Sequence, residues 1–325
     1  MKRLLGSIRN AGQKNSRFFY YARQLPRLLV PAAACRRLLG ARLRDLRLFD
    51  EERIFDRVNY YCRPAAGALG AAAAPYRFSL FRGQHNYHLD LREYLRFFDP
   101  DLNLLYRFGD ETAVPDRPTI VKARPIDGDN GNSVLFNLNK VRHFVFAADR
   151  LAFADKLDRL VWRGSAHQEN RKRFLERFHG HPRCDVGQVR RKPGNAPWQK
   201  GYLSISDQLK CKFILSIEGN DVASNLKWIL SSNSLCFMVR PRFETWFMEG
   251  RLIPGRHYVL LRDDYADLDE KMDYYANHAP EAREIVARAQ RFVAGFRNPA
   301  EEDLVSLLVL KKYFESSGQP VAVRS

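Results

Sequence analysis

After residue 157 the chain alternates between short apolar runs and amphipathic stretches of helical spacing. The runs are of strand length, and the stretches between them repeat apolar positions three and four residues apart. This pattern predicts strands at 160–162, 184–189, 213–217, 235–239 and 258–261, with helices at 170–178, 206–211 and 223–230. Three further helices are expected at 267–278, 280–296 and 299–316, the second opening on a proline that suits a first helical turn. Strands alternating with helices imply an α/β fold, a parallel sheet covered on its faces by helices. The first half is less regular. Residues 1–63 read as helical and basic, and 65–75 form an Ala/Gly-rich connector of the kind that is flexible. Beyond it stand a helix at 90–97, a strand at 119–123, and a strand or helix start at 134–139.

Two of the predicted strands end in glycine turns that lead into helices. In Leu160-Val-Trp-Arg-Gly-Ser-Ala-His-Gln-Glu-Asn-Arg171 the turn falls at Gly164 and Ser165, and Arg171 follows in the first helical turn. Backbone N–H groups and the positive end of a helix would there be aimed at an anion, and the Arg171 guanidinium suits bidentate phosphate contact. In Phe213-Ile-Leu-Ser-Ile-Glu-Gly-Asn-Asp-Val-Ala-Ser-Asn-Leu-Lys-Trp228 the arrangement repeats. Here Gly219, Asn220, Asp221, Ser224, Asn225 and Lys227 surround the turn and helix start. Ligands of parallel sheets bind beyond the carboxyl ends of the strands, where both turns fall, so a shared ligand is expected. Taken alone, the first turn reads more readily as a plain surface loop, and it is the second that changes the reading.

Trp162-Arg-Gly-Ser165 with Arg171, Glu218 to Trp228, Ser232-Asn-Ser234, Leu252-Ile-Pro254 and His257-Tyr-Val259 together resemble glycosyltransferase family 90. Val121-Lys-Ala-Arg-Pro-Ile-Asp-Gly-Asp-Asn130 and Val141-Arg-His-Phe144 are similar to its bacterial branch, the lipopolysaccharide-core glycosyltransferases. The resemblance runs from about Arg53 to Phe296. It implies the GT-B architecture, two Rossmann-like domains facing across a cleft, whereas alternation alone licenses one such domain. The expected division is a basic helical segment at 1–63, an acceptor-side domain at 76–156, a nucleotide-sugar-binding domain at 157–298, and a C-terminal helix and tail at 299–325.

Composition then narrows the setting. The net charge is +17, and residues 1–47 hold twelve Lys/Arg against the single acid Asp45, a local excess of +11. A basic arm of this kind suits an anionic membrane surface, with Tyr20, Tyr21, Leu25, Leu28, Leu29 and Val30 as apolar material interrupted by Pro26 and Pro31. It reads equally as a solvated arm. No apolar run approaches the ~20 residues of a membrane-spanning helix, and arginines break the N-terminus where a signal peptide would be apolar. The expected location is the cytoplasm, peripherally at the inner face of the membrane. Five widely spaced cysteines without a C-x-x-C pair indicate neither zinc nor a disulfide framework.

Transfer from a nucleotide sugar needs a base for the acceptor hydroxyl and positive groups for the departing diphosphate. The resemblance assigns the second task to Ser165 and Arg171, with Lys227 at a basic position of the second helix. Animal members carry an arginine where Asn225 stands, so the phosphate grip differs there. In Phe108-Gly-Asp-Glu-Thr112, Asp110 lies upstream of an apolar strand as the family's catalytic aspartate does, and a plain turn aspartate is the rival reading. Glu111, Asp127 and His143 are reserves. Asp127-Gly-Asp129 also reads as a D-x-D metal motif, although the turn explains its residues and the family requires no metal. Lys122 and Arg124 are assigned to the cleft or to solvated surface. Glu244 and Glu249 would meet ribose or sugar hydroxyls, while Trp246 and Phe247 read more readily as core, and His257 as a hydrogen-bonded structural histidine.

The function expected is an inverting, metal-independent transfer of a hexose or pentose from a nucleotide diphosphate sugar, uridine-linked, to the lipopolysaccharide core or a related surface glycan. No cofactor beyond this co-substrate is expected. The partners are the donor, a glycan or glycolipid acceptor, and an anionic membrane surface, with no nucleic acid. Two rivals come from other classes: a basic nucleic-acid-binding protein, which lacks a recognised motif here, and an inactive sugar-binding scaffold at the membrane.

Overall fold

The computed structural model describes residues 20–22, 26–27, 29–63, 73–76, 85–190, 195–323. Residues 1–19 of the basic N-terminal segment and most of the 65–75 connector therefore lie outside the described residues. In chain order the elements used below are α1 (Ala32–Arg44), α2 (Glu51–Tyr61), β1 (Ala74–Pro75), α3 (His85–Leu95), β2 (Asn103–Leu104), β3 (Tyr106–Arg107), β4 (Thr119–Val121), β5 (Ala123–Pro125) and β6 (Ser133–Leu135). They continue with β7 (Leu157–Gly164), α4 (Glu169–Phe178), β8 (Cys184–Gln188), α5 (Ile205–Gln208), β9 (Cys211–Leu215), α6 (Leu226–Leu230), β10 (Leu235–Met238), β11 (Phe243–Thr245) and β12 (Val259–Leu260). The last helices are α7 (Leu268–Asn277), α8 (Ala279–Ala294) and α9 (Pro299–Ser316). They form two compact units, each discontinuous: one contains 142–241 and 251–295, the other 16–141, 242–250 and 296–325.

The first unit contains the clear sequence alternation. Its five strands stand in the order β12-β10-β9-β7-β8, and every neighbouring pair is parallel. Numbered by appearance this is 2-1-3-4-5, a doubly wound order whose switch point lies between its first and third strands, β7 and β9. Leu160, Trp162, Phe174, Phe178, Phe213, Leu215, Leu235, Phe237 and Ile285 form its core. The strands are apolar on both faces because helices cover both. Several boundaries differ from the sequence pattern: β7 runs Leu157–Gly164 rather than 160–162, and the helix expected over 206–211 is Ile205–Gln208. The third strand begins at Cys211, and the helix expected over 223–230 begins at Leu226, because Asn225 turns its amide back onto the Leu215 carbonyl.

The second unit is built otherwise. Its parallel sheet has three strands, β3-β4-β6, joined by a loop and by β5 rather than by helices, and β5 pairs antiparallel with β11. Strands of two and three residues carry too little periodicity to be read, which is why this half of the sequence was opaque. Helices α2 and α9 hold it together. Asp50 caps α2 by accepting from Arg53 N, and Asn298 caps α9 by accepting from Ala300 N. Between these helices the buried Arg57 reaches Glu301 at 3.1 Å and Glu302 at 2.7 Å, and Glu302 also accepts from the Trp246 indole at 2.6 Å. Trp246 stacks on Tyr61 with ring centroids 3.9 Å apart. Trp246 and Phe247 are core, as expected.

On α3, Asp90 is fully buried and accepts from Tyr20 Oη at 2.8 Å and from Lys140 N at 3.0 Å. Burial pushes its pKa up to about 6, against the opposing field of Lys140. Between about pH 4 and 6 the folded chain thus keeps a proton that the unfolded chain has released. The contribution of Asp90 to stability is complete at the acid end and declines as pH rises through 6, by about 3 kcal/mol in all. Urea unfolding of the wild type and Asp90→Asn checks this: the gap between their unfolding free energies shifts with pH over this window, and a constant gap would exonerate Asp90.

Candidate functional site

At the carboxyl ends of β7 and β9 the two glycine turns come together, fastened by one side chain. Arg171, in the first turn of α4, donates from Nη1 to the Ser165 carbonyl at 2.9 Å, from Nη2 to that of Ile217 at 2.7 Å, and from Nε to that of Glu218 at 3.0 Å. Three of its five N–H groups are therefore spent on both turns at once. The rest of the guanidinium makes no ion pair among the described residues. Burial, reinforced by the field of Arg142, lowers the Arg171 pKa from its ordinary value. A half-buried arginine remains charged; this one is held by three carbonyl dipoles and feels the fields of Asp221 and Glu218 without pairing with either.

Close approach excludes a side chain at Gly164 and leaves little room for one at Gly219. A Cβ on Gly164 would stand 2.6 Å from the Trp162 ring, and one on Gly219 would stand 3.2 Å from Arg171 Nη2. Other polar groups gather here. Gln168 donates to Asn220 Oδ1 at 2.9 Å and Asn170 to the Glu218 carbonyl at 3.1 Å, while Gly219 N donates to the Asp221 carbonyl at 2.8 Å. The Ser165 hydroxyl and Gln168 Oε1 are buried and have no hydrogen-bond partner among the described residues. Buried polar atoms are seldom left so. Gln168 was not singled out from the sequence. Its signal was the position immediately before α4.

The remaining donor-side residues divide. Asp221 is buried, and Ser224 is half-buried beside it in the turn. Asn225 spends its amide on Leu215 O and its oxygen on Ser216 Oγ, at 3.0 and 3.2 Å, so it fixes the turn to the end of β9. Lys227 is wholly enclosed within α6. His257 accepts from Ile253 N at 2.9 Å and packs against Phe292, the structural part expected of it.

In the other unit, Asp110 follows β3 and forms an ion pair with Lys122, the residue after β4. Lys122 is 2% exposed in this pair and Asp110 27%. A carboxylate left partly open and fixed by a buried cation is positioned to accept a proton from a hydroxyl. At the end of the adjoining strand β6 stands Asn137, buried, with Oδ1 lacking a partner among the described residues. Nothing in the sequence marked it, because its significance lies in the register of β4 against β6.

The other acids and bases assigned to a cleft are placed differently. Arg124 is fully buried, giving Nε to Glu244 at 2.8 Å, Nη1 to Ser133 O at 3.1 Å and Nη2 to Tyr60 O at 2.8 Å. Glu244 also receives the Tyr60 hydroxyl. Glu249 is fully buried and accepts from Thr245 N and Oγ1 at 2.6 and 3.0 Å. The sequence places Arg124 in the cleft or on the surface and Glu244 and Glu249 at sugar hydroxyls; in the structure each is buried and bonded within the unit, as an internal tie. Asp127 and Asp129 flank the left-handed Gly128 on an exposed turn, where Asp129 accepts from Gly131 N at 3.2 Å.

Residues 136–301 match the family described as glycosyl transferase family 90. The chain is 49% identical over 229 residues to the O-glucosyltransferase LpsA of Dichelobacter nodosus, covering 70% of this chain and 72% of that protein. It is 30% identical over 91 residues to Protein O-glucosyltransferase 2 of Danio rerio, 28% of this chain and 18% of that one. With Protein O-glucosyltransferase 3 of Homo sapiens the identity is 24% over 183 residues, covering 53% and 35%.

Proposed function

The chain belongs to glycosyl transferase family 90 and is a glycosyltransferase, and from that premise we propose that it moves glucose from UDP-glucose to a hydroxyl of the lipopolysaccharide core or a related surface glycan, with inversion and without a metal. Glucose is the choice because a relative 49% identical over 70% of this chain is an O-glucosyltransferase. The observation that carries the donor assignment is Arg171, a half-buried cation without an ion pair among the described residues, set at the switch point beside the unpartnered Ser165 hydroxyl. Such a place suits a diphosphate.

In the proposed reaction Asp110 takes the proton of the acceptor hydroxyl. The oxygen attacks the anomeric carbon, the bond from that carbon to the diphosphate breaks, and UDP leaves with the bonding pair. Charge building on the leaving group meets the turn N–H groups, Ser165 and Arg171. One base suffices, and an α-linked donor gives a β-linked product. Asn137 is the polar group best suited to hold an acceptor hydroxyl on the Asp110 side. The GT-B class, and a workplace at the cytoplasmic face of the membrane, belong to the same proposal. Among the described residues no helix is long and apolar enough to cross a membrane.

Calorimetric titration with a panel of UDP-sugars, first with magnesium and then with chelator, tests this. UDP-glucose is expected to bind best and to keep its affinity in chelator. Binding that vanishes on chelation would transfer the donor role to a metal site, and tighter binding of a UDP-pentose would overturn the choice of glucose.

A further inference from the structure

Helix α1 carries four arginines and no acid: Arg36, Arg37, Arg42 and Arg44. Its inner side is set by Cys35 and Leu39, both buried. On the opposite side Arg37, Leu38, Ala41 and Arg44 share one face at helical spacing, and all four are exposed. Leu38 is 50% exposed there, and the residues leading into the helix continue the pattern, with Leu29 83% and Val30 43% exposed. Thirteen residues of helix give this face a length of about 20 Å. Isolated exposed leucines are ordinary on protein surfaces. An exposed Leu38 set among arginines on a helix without a single acid, preceded by exposed Leu29 and Val30 and lying within a sequence segment whose excess is +11, is not accounted for by solvation alone. The acids return only at Asp45 and then at Asp50, Glu51 and Glu52, which open α2.

We propose that the outer face of α1, with Leu29 and Val30 before it, docks on an anionic lipid surface. The leucines enter the boundary between headgroups and acyl chains, where apolar side chains leave water. The arginines remain at phosphate depth, their apolar stems lying along the same boundary. The acids at the start of α2 mark where contact ends, since they are repelled by the same surface. This orientation rests on the reading of a glycolipid acceptor only for its purpose. The charge and exposure that carry it do not involve the donor site.

Sedimentation of the full chain with vesicles separates the two ideas. Vesicles of phosphatidylcholine with about a third phosphatidylglycerol are expected to bind it, pure phosphatidylcholine far less, and added salt should weaken binding. Arg37→Gln with Arg44→Gln lowers partitioning on the order of twentyfold, and Leu29→Ser with Leu38→Ser at least on the order of tenfold. Thermal unfolding of both variants should match the wild type, because the changed side chains are exposed. Equal binding to charged and neutral vesicles, or wild-type binding by both variants, would overturn the proposal. So would a duplex oligonucleotide held as tightly as the vesicles, or a dimer that the leucine substitutions dissolve. Vesicle binding without any turnover on a soluble acceptor would leave the docking face standing and count against the transferase reaction instead.

Discussion

Asp110→Asn abolishes transfer, lowering turnover on the order of a hundredfold to ten-thousandfold, while UDP-glucose affinity stays within about a factor of two of the wild type. The amide keeps the shape of the carboxylate but cannot take the acceptor proton. Its partner Lys122 is 2% exposed, so the substitution also leaves a buried ammonium without its counter-charge, and some loss of stability accompanies it. Activity measured with saturating donor, alongside calorimetry on the same preparation, isolates the chemical step. Wild-type turnover in this variant would remove Asp110 from the role, and lost donor binding would mean that it acts through structure.

Arg171→Ala weakens binding of the nucleotide diphosphate by at least an order of magnitude and also lowers the unfolding temperature, because Arg171 has two tasks. It supplies positive charge at the switch point, and it satisfies the carbonyls of Ser165, Ile217 and Glu218. Loss of three partly buried hydrogen bonds costs about 1–3 kcal/mol once water replaces some of them. Arg171→Lys is the sharper test. An ammonium restores the charge, but a point donor does not span three carbonyls in the fork that a guanidinium provides. The lysine variant should therefore recover little of the affinity. Full recovery would show that charge alone matters, and unchanged affinity in the alanine variant would sink the phosphate assignment.

The sequence disclosed these features unevenly. The strands from 157 to 261 and helix α4 were legible because each apolar run is bounded by a turn and α4, of ten residues, has room for two periods, whereas α5 and α6 have four and five residues and were placed less well. The glycine turns were legible too, and their position at strand ends followed. Strand order did not follow. Only pairing of β7 with β8 on one side and β9 on the other makes the gap between β7 and β9 a switch point. In the second unit the decisive contacts join residues far apart in the chain. Arg124 and Glu244 stand 120 positions apart, and no local pattern announces that each is the other's counter-charge. Read locally, two charged residues near motif positions look like ligands for a substrate. In the fold they are spent on one another.

The discontinuity of the second unit bears on how the protein is made. Helix α9 follows every other element of that unit in the chain, yet it brings the carboxylates that neutralise Arg57 and the partner of the Trp246 indole. During synthesis α2 and Trp246 therefore leave the ribosome well before the groups that complete their surroundings. The parallel sheet of the first unit has all its strands by residue 260 and is free to close earlier. The nascent chain passes through an interval in which the strands of the first sheet are all present while the other unit still exposes an unfinished core, and that interval is where chaperone dependence and misfolding should concentrate.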